Sequence, residues 1–139
     1  MSGGRTAEQQ KEVHGVIAGI GTDIVEIARI AKALRRYGDA FLERILSPDE
    51  CALALTYAES RRSEFAAGRF ALKEAMAKAS GLGLARLGMS SVDIRTMDRG
   101  LAVRFTTSDH PLGSEGISWH LSISHTKDVA FAVAVLERS

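Results

Sequence analysis

The stretch Arg69-Phe70-Ala71-Leu72-Lys73-Glu74-Ala75-Met76-Ala77-Lys78 constrains the fold more than any other part of this 139-residue chain. It reads as the middle of a long helix that starts near Ser60 or Ser63 and ends at Gly81. Serine offers a capping acceptor to the first free N–H groups, and glycine suits the left-handed position that closes a helix. At about 100° per residue, Phe65, Leu72, Met76 and Ala79 share one face with Gly68 and Ala75 beside them, a stripe that turns toward a core. Glu74 and Lys78 lie away from that stripe, one turn apart, and the flanking Ala67 and Ala71 leave room for close approach to their charges. A Glu followed four residues later by Lys is also a favoured surface ion pair, worth about 0.2–0.5 kcal/mol. The helix alone leaves both readings open.

The rest of the chain is one domain's worth of sequence with an ordinary globular balance, 45% hydrophobic and 25% charged. A net charge of +1 excludes an overall nucleic-acid-type footprint, so any basic surface is local. Cys51 is the only cysteine, which rules out a disulfide within the chain and fits a reducing cytoplasm. No run approaches about 18 apolar residues, so no membrane span is expected. Residues 1–15 are polar and aperiodic; they are expected to be a disordered tail, with a single domain over 16–139.

Val16 to Asp23 reads as a strand, with Gly19, Gly21 and Asp23 on one face. Strand glycines mark close approach by a ligand or by another backbone. Asp23 behind them suits either a helix cap or a ligand to a cation. A helix is expected from about Val25 to Tyr37, with Ile27, Ile30, Ala31 and Leu34 on its apolar side. Arg29, Lys32 and Arg36 form a stripe on another face with Arg35 adjacent, which is either a solvated face or a docking surface for an acidic partner. Phe41, Leu42 and Ile45 make a short helical turn, and Ser47-Pro48-Asp49-Glu50 is a capping box opening a helix to about Tyr57. Cys51 there reads as a small buried hydrophobe.

After the connector Gly81-Leu82-Gly83 the texture changes to strands. Val92–Thr96 and Leu101–Phe105 form a hairpin about Asp98-Arg99-Gly100, residues 107–116 read as a loop, and Ile117, Trp119, Leu121 and Ile123 alternate with polar residues. His125 continues the apolar face at the strand's end, as a core histidine or as the rim of a site. Val129 to Leu136 is apolar on both faces, the pattern of a central strand.

Asp23, Glu74 with Lys78, and the strand end Ser122-Ile123-Ser124-His125-Thr126 carry the chemistry. Two carboxylates from separate elements suit Mg²⁺, which completes its shell with water and substrate phosphate. A lysine and a histidine nearby neutralise phosphate charge during transfer. Zinc is not expected, with one cysteine and no paired histidines. These residues point to Mg²⁺-dependent chemistry on a phosphate or pyrophosphate and name no substrate.

In the order Gly19-Ile20-Gly21-Thr22-Asp23-Ile24-Val25-Glu26-Ile27, then Arg69 to Lys78, then Ser122 to Thr126, the chain resembles the holo-acyl-carrier-protein synthases, the short single-domain phosphopantetheinyl transferases. The resemblance runs from about Val16 to the C-terminus. It implies an α+β fold in which a small antiparallel sheet packs against a long central helix and shorter helices. It also implies Mg²⁺ on Asp23 and Glu74, and coenzyme A as substrate. Lys78 then sits on the phosphates with His125 beside them, and Arg69, Lys73 and Thr126 are further coenzyme contacts. The serine of an apo acyl carrier protein is the acceptor, docked by Arg29, Arg35, Arg36 and Arg44, in a homotrimer with its sites between subunits. Many members carry a proline soon after the hairpin glycine, where this chain has Gly100-Leu101-Ala102, and residues 108–116 are longer and more polar than the family pattern. Two other readings of the same residues are an Mg²⁺-dependent pyrophosphohydrolase and a non-catalytic docking module for an acidic partner.

Overall fold

The computed structural model describes residues 15–139, so the tail expected over residues 1–15 lies, Gly15 apart, outside the described residues. Strand β1 (Val16–Glu26) leads directly into helix α1 (Ile27–Tyr37), and α2 (Asp39–Ile45) and α3 (Pro48–Ala54) follow. The long helix α4 (Glu59–Ser80) crosses the molecule, and the short α5 (Leu84–Leu87) turns the chain into the hairpin β2 (Val92–Met97) and β3 (Gly100–Phe105). Strands β4 (Ile117–His125) and β5 (Val129–Arg138) complete the fold. The architecture is α+β, with an antiparallel sheet in the order β1-β5-β4 and a separate two-stranded sheet β2-β3. The doubly apolar segment is the central strand β5, as its pattern predicts.

Helix α4 lies across the inner face of the three-stranded sheet. Gly19 and Gly21 are required there by contact with its backbone. A Cβ on Gly19 would sit 1.8 Å from the Ala79 carbonyl oxygen, and one on Gly21 would sit 1.9 Å from that of Ala75. The glycines of the first motif therefore let two backbones touch, and the approach they permit is that of α4 rather than of a ligand. On β5 the inner face is Ala130, Ala132, Ala134 and Leu136, and on β4 it is Trp119, Leu121 and Ile123, packed against the helix.

Several local expectations are corrected. Helix α4 starts two residues earlier than the first serine suggested: its N-cap is Ala58, with no side-chain cap, and Ser63 Oγ donates back to the Glu59 carbonyl instead. The C-terminal end is as read, with Gly81 left-handed at φ 74°. Ala67 and Ala71 do not border an open face; both are fully buried, because α4 is enclosed on nearly every side and small residues let its neighbours close in. Strand β1 runs three residues past Asp23, so Asp23 sits within a strand and caps no helix. Helix α3 ends at Ala54, short of Tyr57. Between the connector Gly81-Leu82-Gly83 and the first strand of the hairpin lie α5 and a 3₁₀ turn at Met89–Ser91.

Candidate active site

The capping box at Ser47 forms as its sequence predicts, and it does more than start a helix. Ser47 Oγ accepts from the Glu50 N–H (3.1 Å), and Glu50 Oε1 accepts from the Ser47 N–H (2.8 Å). Glu50 is only 2% exposed, and its carboxylate turns inward against the ammonium of Lys73. Lys73 is completely buried and donates to the Ile45 carbonyl (2.9 Å), to Glu50 Oε1 (2.5 Å) and to the Met89 carbonyl (2.9 Å). All three of its protons are used. Burial pulls the Lys73 pKa down, and the Glu50 carboxylate opposes that pull. Lys73 is thus removed from the coenzyme contacts the resemblance implied, since its head group lies inside the fold.

The next residue on α4 points elsewhere. Glu74 and Lys78 face β1, where Asp23 stands on the inner side of the sheet. The surface ion pair that the spacing allowed between Glu74 and Lys78 is not formed; Lys78 Nζ instead donates to the Thr22 carbonyl (2.9 Å) and to Asp23 Oδ1 (3.3 Å). The Glu74 carboxyl is held above the ordinary glutamate range by partial burial first and by the adjacent Asp23 second, against the weaker pull of Lys78 and Arg29. Two carboxylates brought together from a strand and a helix, with one lysine at their edge, leave negative charge uncompensated. The side chain of Asp23 is 13% exposed and that of Lys78 57%, so the cluster opens to solvent on the lysine side. Among the described residues no third His, Cys, Asp or Glu joins the two carboxylates in a ready metal cluster. Hard oxygen donors in this number suit a divalent cation whose remaining ligands come from water and phosphate.

His125 occupies a second place on the molecule. It lies on the inner side of the sheet, across β5 from Val25 and two residues along the ladder from Asp23. It is exposed at the strand end, with Nδ1 3.3 Å from the Thr126 carbonyl, which answers the choice between core and rim in favour of the rim. A cleft of about 220 Å³ opens beside it, lined by Tyr57, Arg61, Phe65, Arg69 and Thr96 among others. Arg69 is 8% exposed, its guanidinium lies 4.5 Å over the Phe65 ring, and its Nε has no hydrogen-bond partner. The sequence singled out Arg69 and His125 and not Tyr57 and Arg61; Arg61 lies on α4 about two turns before Arg69, and Tyr57 lies just ahead of that helix. Thr126 closes the turn between β4 and β5, its hydroxyl accepting from the Asp128 and Val129 N–H groups. The structure therefore brings Asp23, Glu74 and Lys78 together and brings Arg69 and His125 together, as two clusters spaced along α4. The basic residues Arg29, Arg35, Arg36 and Arg44 are all exposed, the first three on α1 and the last on α2.

Residues 19–135 match the 4'-phosphopantetheinyl transferase superfamily. A holo-[acyl-carrier-protein] synthase of Bacillus thuringiensis is 42% identical over 125 residues, 89% of this chain and 98% of that protein. A crystal structure of the Bacillus anthracis holo-(acyl-carrier-protein) synthase in complex with CoA (3',5'-ADP) superposes with a TM-score of 0.75 at 42% identity, covering 88% of this chain and 98% of that one. The Neisseria meningitidis synthase gives 0.76 at 34% identity, over 88% of this chain and 100% of that one. The Helicobacter pylori synthase in complex with coenzyme A gives 0.70 at 38%, over 84% and 98%. With a family match across most of its length and relatives at this identity, the chain belongs to the 4'-phosphopantetheinyl transferase superfamily, among the holo-acyl-carrier-protein synthases.

Proposed function

We propose that the chain transfers the 4'-phosphopantetheine group of coenzyme A to a serine of apo acyl carrier protein, giving the holo carrier and 3',5'-ADP, with Mg²⁺ held by Asp23 and Glu74. The observation that carries the metal assignment is the pair of carboxylates brought together from β1 and α4, where partial burial first and Asp23 second raise the proton affinity of Glu74. When bound, Mg²⁺ supplies neutralisation of the pyrophosphate charge. Lys78 anchors itself to Asp23 and the Thr22 carbonyl, and its third N–H is left to hold a phosphate oxygen. Arg69 and His125 line a cleft of the right polarity for the remaining phosphates, with Arg61 beside them. The attacking serine oxygen forms a bond to the β-phosphorus as the bond from that phosphorus to the oxygen joining the two phosphates breaks; 3',5'-ADP leaves with that oxygen and the serine proton is released. The chain's own task is to fix the two ends of that exchange in line.

Two further readings belong to this proposal. The exposed arginines of α1 and Arg44 form the docking surface for the acidic carrier. The outer face of the sheet is apolar along β1 and β5, where Ile20 and Ile24 are 63% and 65% exposed and Ile24 pairs across to Phe131, while β4 presents Ser118, His120, Ser122 and Ser124 there. A sheet face of that kind suits contact with further copies of the chain. A homotrimer that places the Asp23 cluster of one subunit against the His125 cleft of the next unites the two half-sites. The lone thiol fits an enzyme working in the cytoplasm.

The test is to incubate the protein with coenzyme A, Mg²⁺ and apo carrier protein and to weigh the carrier. The carrier gains the phosphopantetheine mass if the proposal holds. Coenzyme consumption without a heavier carrier indicates a pyrophosphohydrolase, and neither change indicates a docking module. Sedimentation equilibrium showing a fully active monomer would remove the trimer.

A further inference from the structure

Helix α4 supplies residues to both clusters, so its position along its axis sets the aim of both. Ala66, Ala67, Gly68, Ala71, Ala75, Ala77 and Ala79 let its neighbours close in around it, and Leu72 and Met76 are its fully buried large apolar side chains. One residue of slippage along a helix is about 1.5 Å, enough to misplace a metal ligand. Two large charged side chains of α4 are buried, Arg69 and Lys73, and only Lys73 is buried completely. Its ammonium is bound by the end of α2 at Ile45, by Glu50 of α3 and by Met89 of the 3₁₀ turn. Glu50 is held in turn from two more sides: its Oε2 accepts from the Ile94 N–H of β2 (3.0 Å) and lies 3.6 Å from Arg69 Nε. One buried carboxylate thus touches Arg69, which lines the His125 cleft, and Lys73, which precedes Glu74 in the chain.

We propose that Glu50 and Lys73 are positioning residues for the transfer: the buried pair pins α4 so that Glu74 meets Asp23 and Arg69 stays in the cleft. Neither residue touches substrate. The pair acts through Glu74 as an outer-layer support acts on a metal ligand, and it rests on the assignment of Mg²⁺ to Asp23 and Glu74. Rotation of α4 by a few tens of degrees would carry Glu74 out of line with Asp23.

The test uses the full chain in three forms: wild type, the paired replacement Glu50→Gln with Lys73→Met, and Glu74→Gln. The pair is replaced together because Lys73→Met alone leaves a buried carboxylate without its cation. Circular dichroism and thermal melting establish folding. Mn²⁺ binding in the presence of coenzyme A is counted by electron paramagnetic resonance of the free ion, alongside the Mg²⁺ concentration for half-maximal transfer. The paired replacement is expected to fold and to weaken metal binding by about tenfold or more, with kcat reduced in parallel. A folded paired variant with wild-type Mn²⁺ binding and kcat overturns the proposal. A paired variant that does not fold also overturns it, since the pair would then hold the fold and not the aim of Glu74. Glu74→Gln separates the two levels: if it leaves Mn²⁺ binding unchanged, the metal assignment itself falls, whatever the paired variant does.

Discussion

Two clusters on α4 are built from nearly the same parts and do opposite things. At Glu50, Lys73 and Asp93, each buried group finds a partner of opposite charge or a backbone group: Lys73 uses three acceptors, Glu50 accepts from two N–H groups and the ammonium, and Asp93 accepts from Ser47 Oγ at 2.7 Å and from Arg95. At Asp23, Glu74 and Lys78, two carboxylates face each other, the lysine is half in solvent, and the proton affinity of Glu74 is raised. The first cluster is complete without any ligand. The second has charge to spare, and that excess is what a cation and a pyrophosphate can complete. Their difference teaches that burial and pairing, rather than residue type, separate a structural lysine from a functional one.

The largest effect should come from breaking the closed cluster on one side only. Lys73→Met leaves Glu50 buried without its cation, a change that typically costs about 3–5 kcal/mol. Chemical denaturation should show a loss of this size. A loss of well under 1 kcal/mol would mean that Glu50 reaches solvent more easily than its burial indicates.

The open cluster should respond in the opposite currency. Asp23→Asn should leave the melting temperature near that of the wild type and lower transfer by about a hundredfold, since a neutral amide is a poor partner for Mg²⁺ and a hundredfold is roughly 3 kcal/mol of barrier. Retention of activity within a few-fold at limiting Mg²⁺ would return Asp23 to a purely structural role, as anchor for Lys78.

The carrier surface comes next. Arg29 lies close enough to Glu74 to lower its proton affinity, so reversing it would disturb the metal pair as well as the surface. Arg35 and Arg36 give the cleaner experiment. Reversing both to Glu should reduce kcat/KM for the carrier by about tenfold at low salt, with coenzyme affinity unchanged. The wild-type value should itself fall as salt rises, because exposed charges are screened over about 10 Å at 0.1 M. Equal kcat/KM for the two proteins at low salt would return the helix to an ordinary solvated face.

The two clusters also differ in how far they were legible in the sequence. Asp23 behind its glycines, Glu74 and Lys78 one turn apart, and the strand-end histidine could all be placed, because period and motif order locate residues on elements. Lys73 could not be told from Lys78 by type. Its place on the helix, about 60° from Met76 and so near the core stripe, was the available sign that it points inward. Glu50 was visible as a cap and invisible as a buried anion, since its partner is 23 residues away in the chain. The alanines were misread for a related reason. A periodic stripe describes a helix with one buried side, whereas α4 is buried on several, and small residues serve contact with many neighbours as well as access for a ligand.

The smallest effect is the most specific. The carboxyl of Glu74 is raised by burial and by Asp23, so on a pH scan the unfolded chain gives up this proton before the folded one does. Over that interval the folded state binds more protons, and stability therefore falls as pH rises. Above the folded pKa the full cost is present; below the ordinary glutamate pKa, about 4.3, it is absent. Glu74→Gln has no such titration. Without metal, the variant should melt slightly above wild type at about pH 7, and this advantage should vanish toward about pH 4. Other titrating groups are common to both proteins, so the difference reports on residue 74 and the Asp23 it faces. Saturating Mg²⁺ at neutral pH should reverse the order by stabilising the wild type and not the variant. A variant that melts below wild type at neutral pH without metal would show that Lys78 and Arg29 outweigh Asp23 at this carboxylate, and the two clusters would then be alike in being internally balanced.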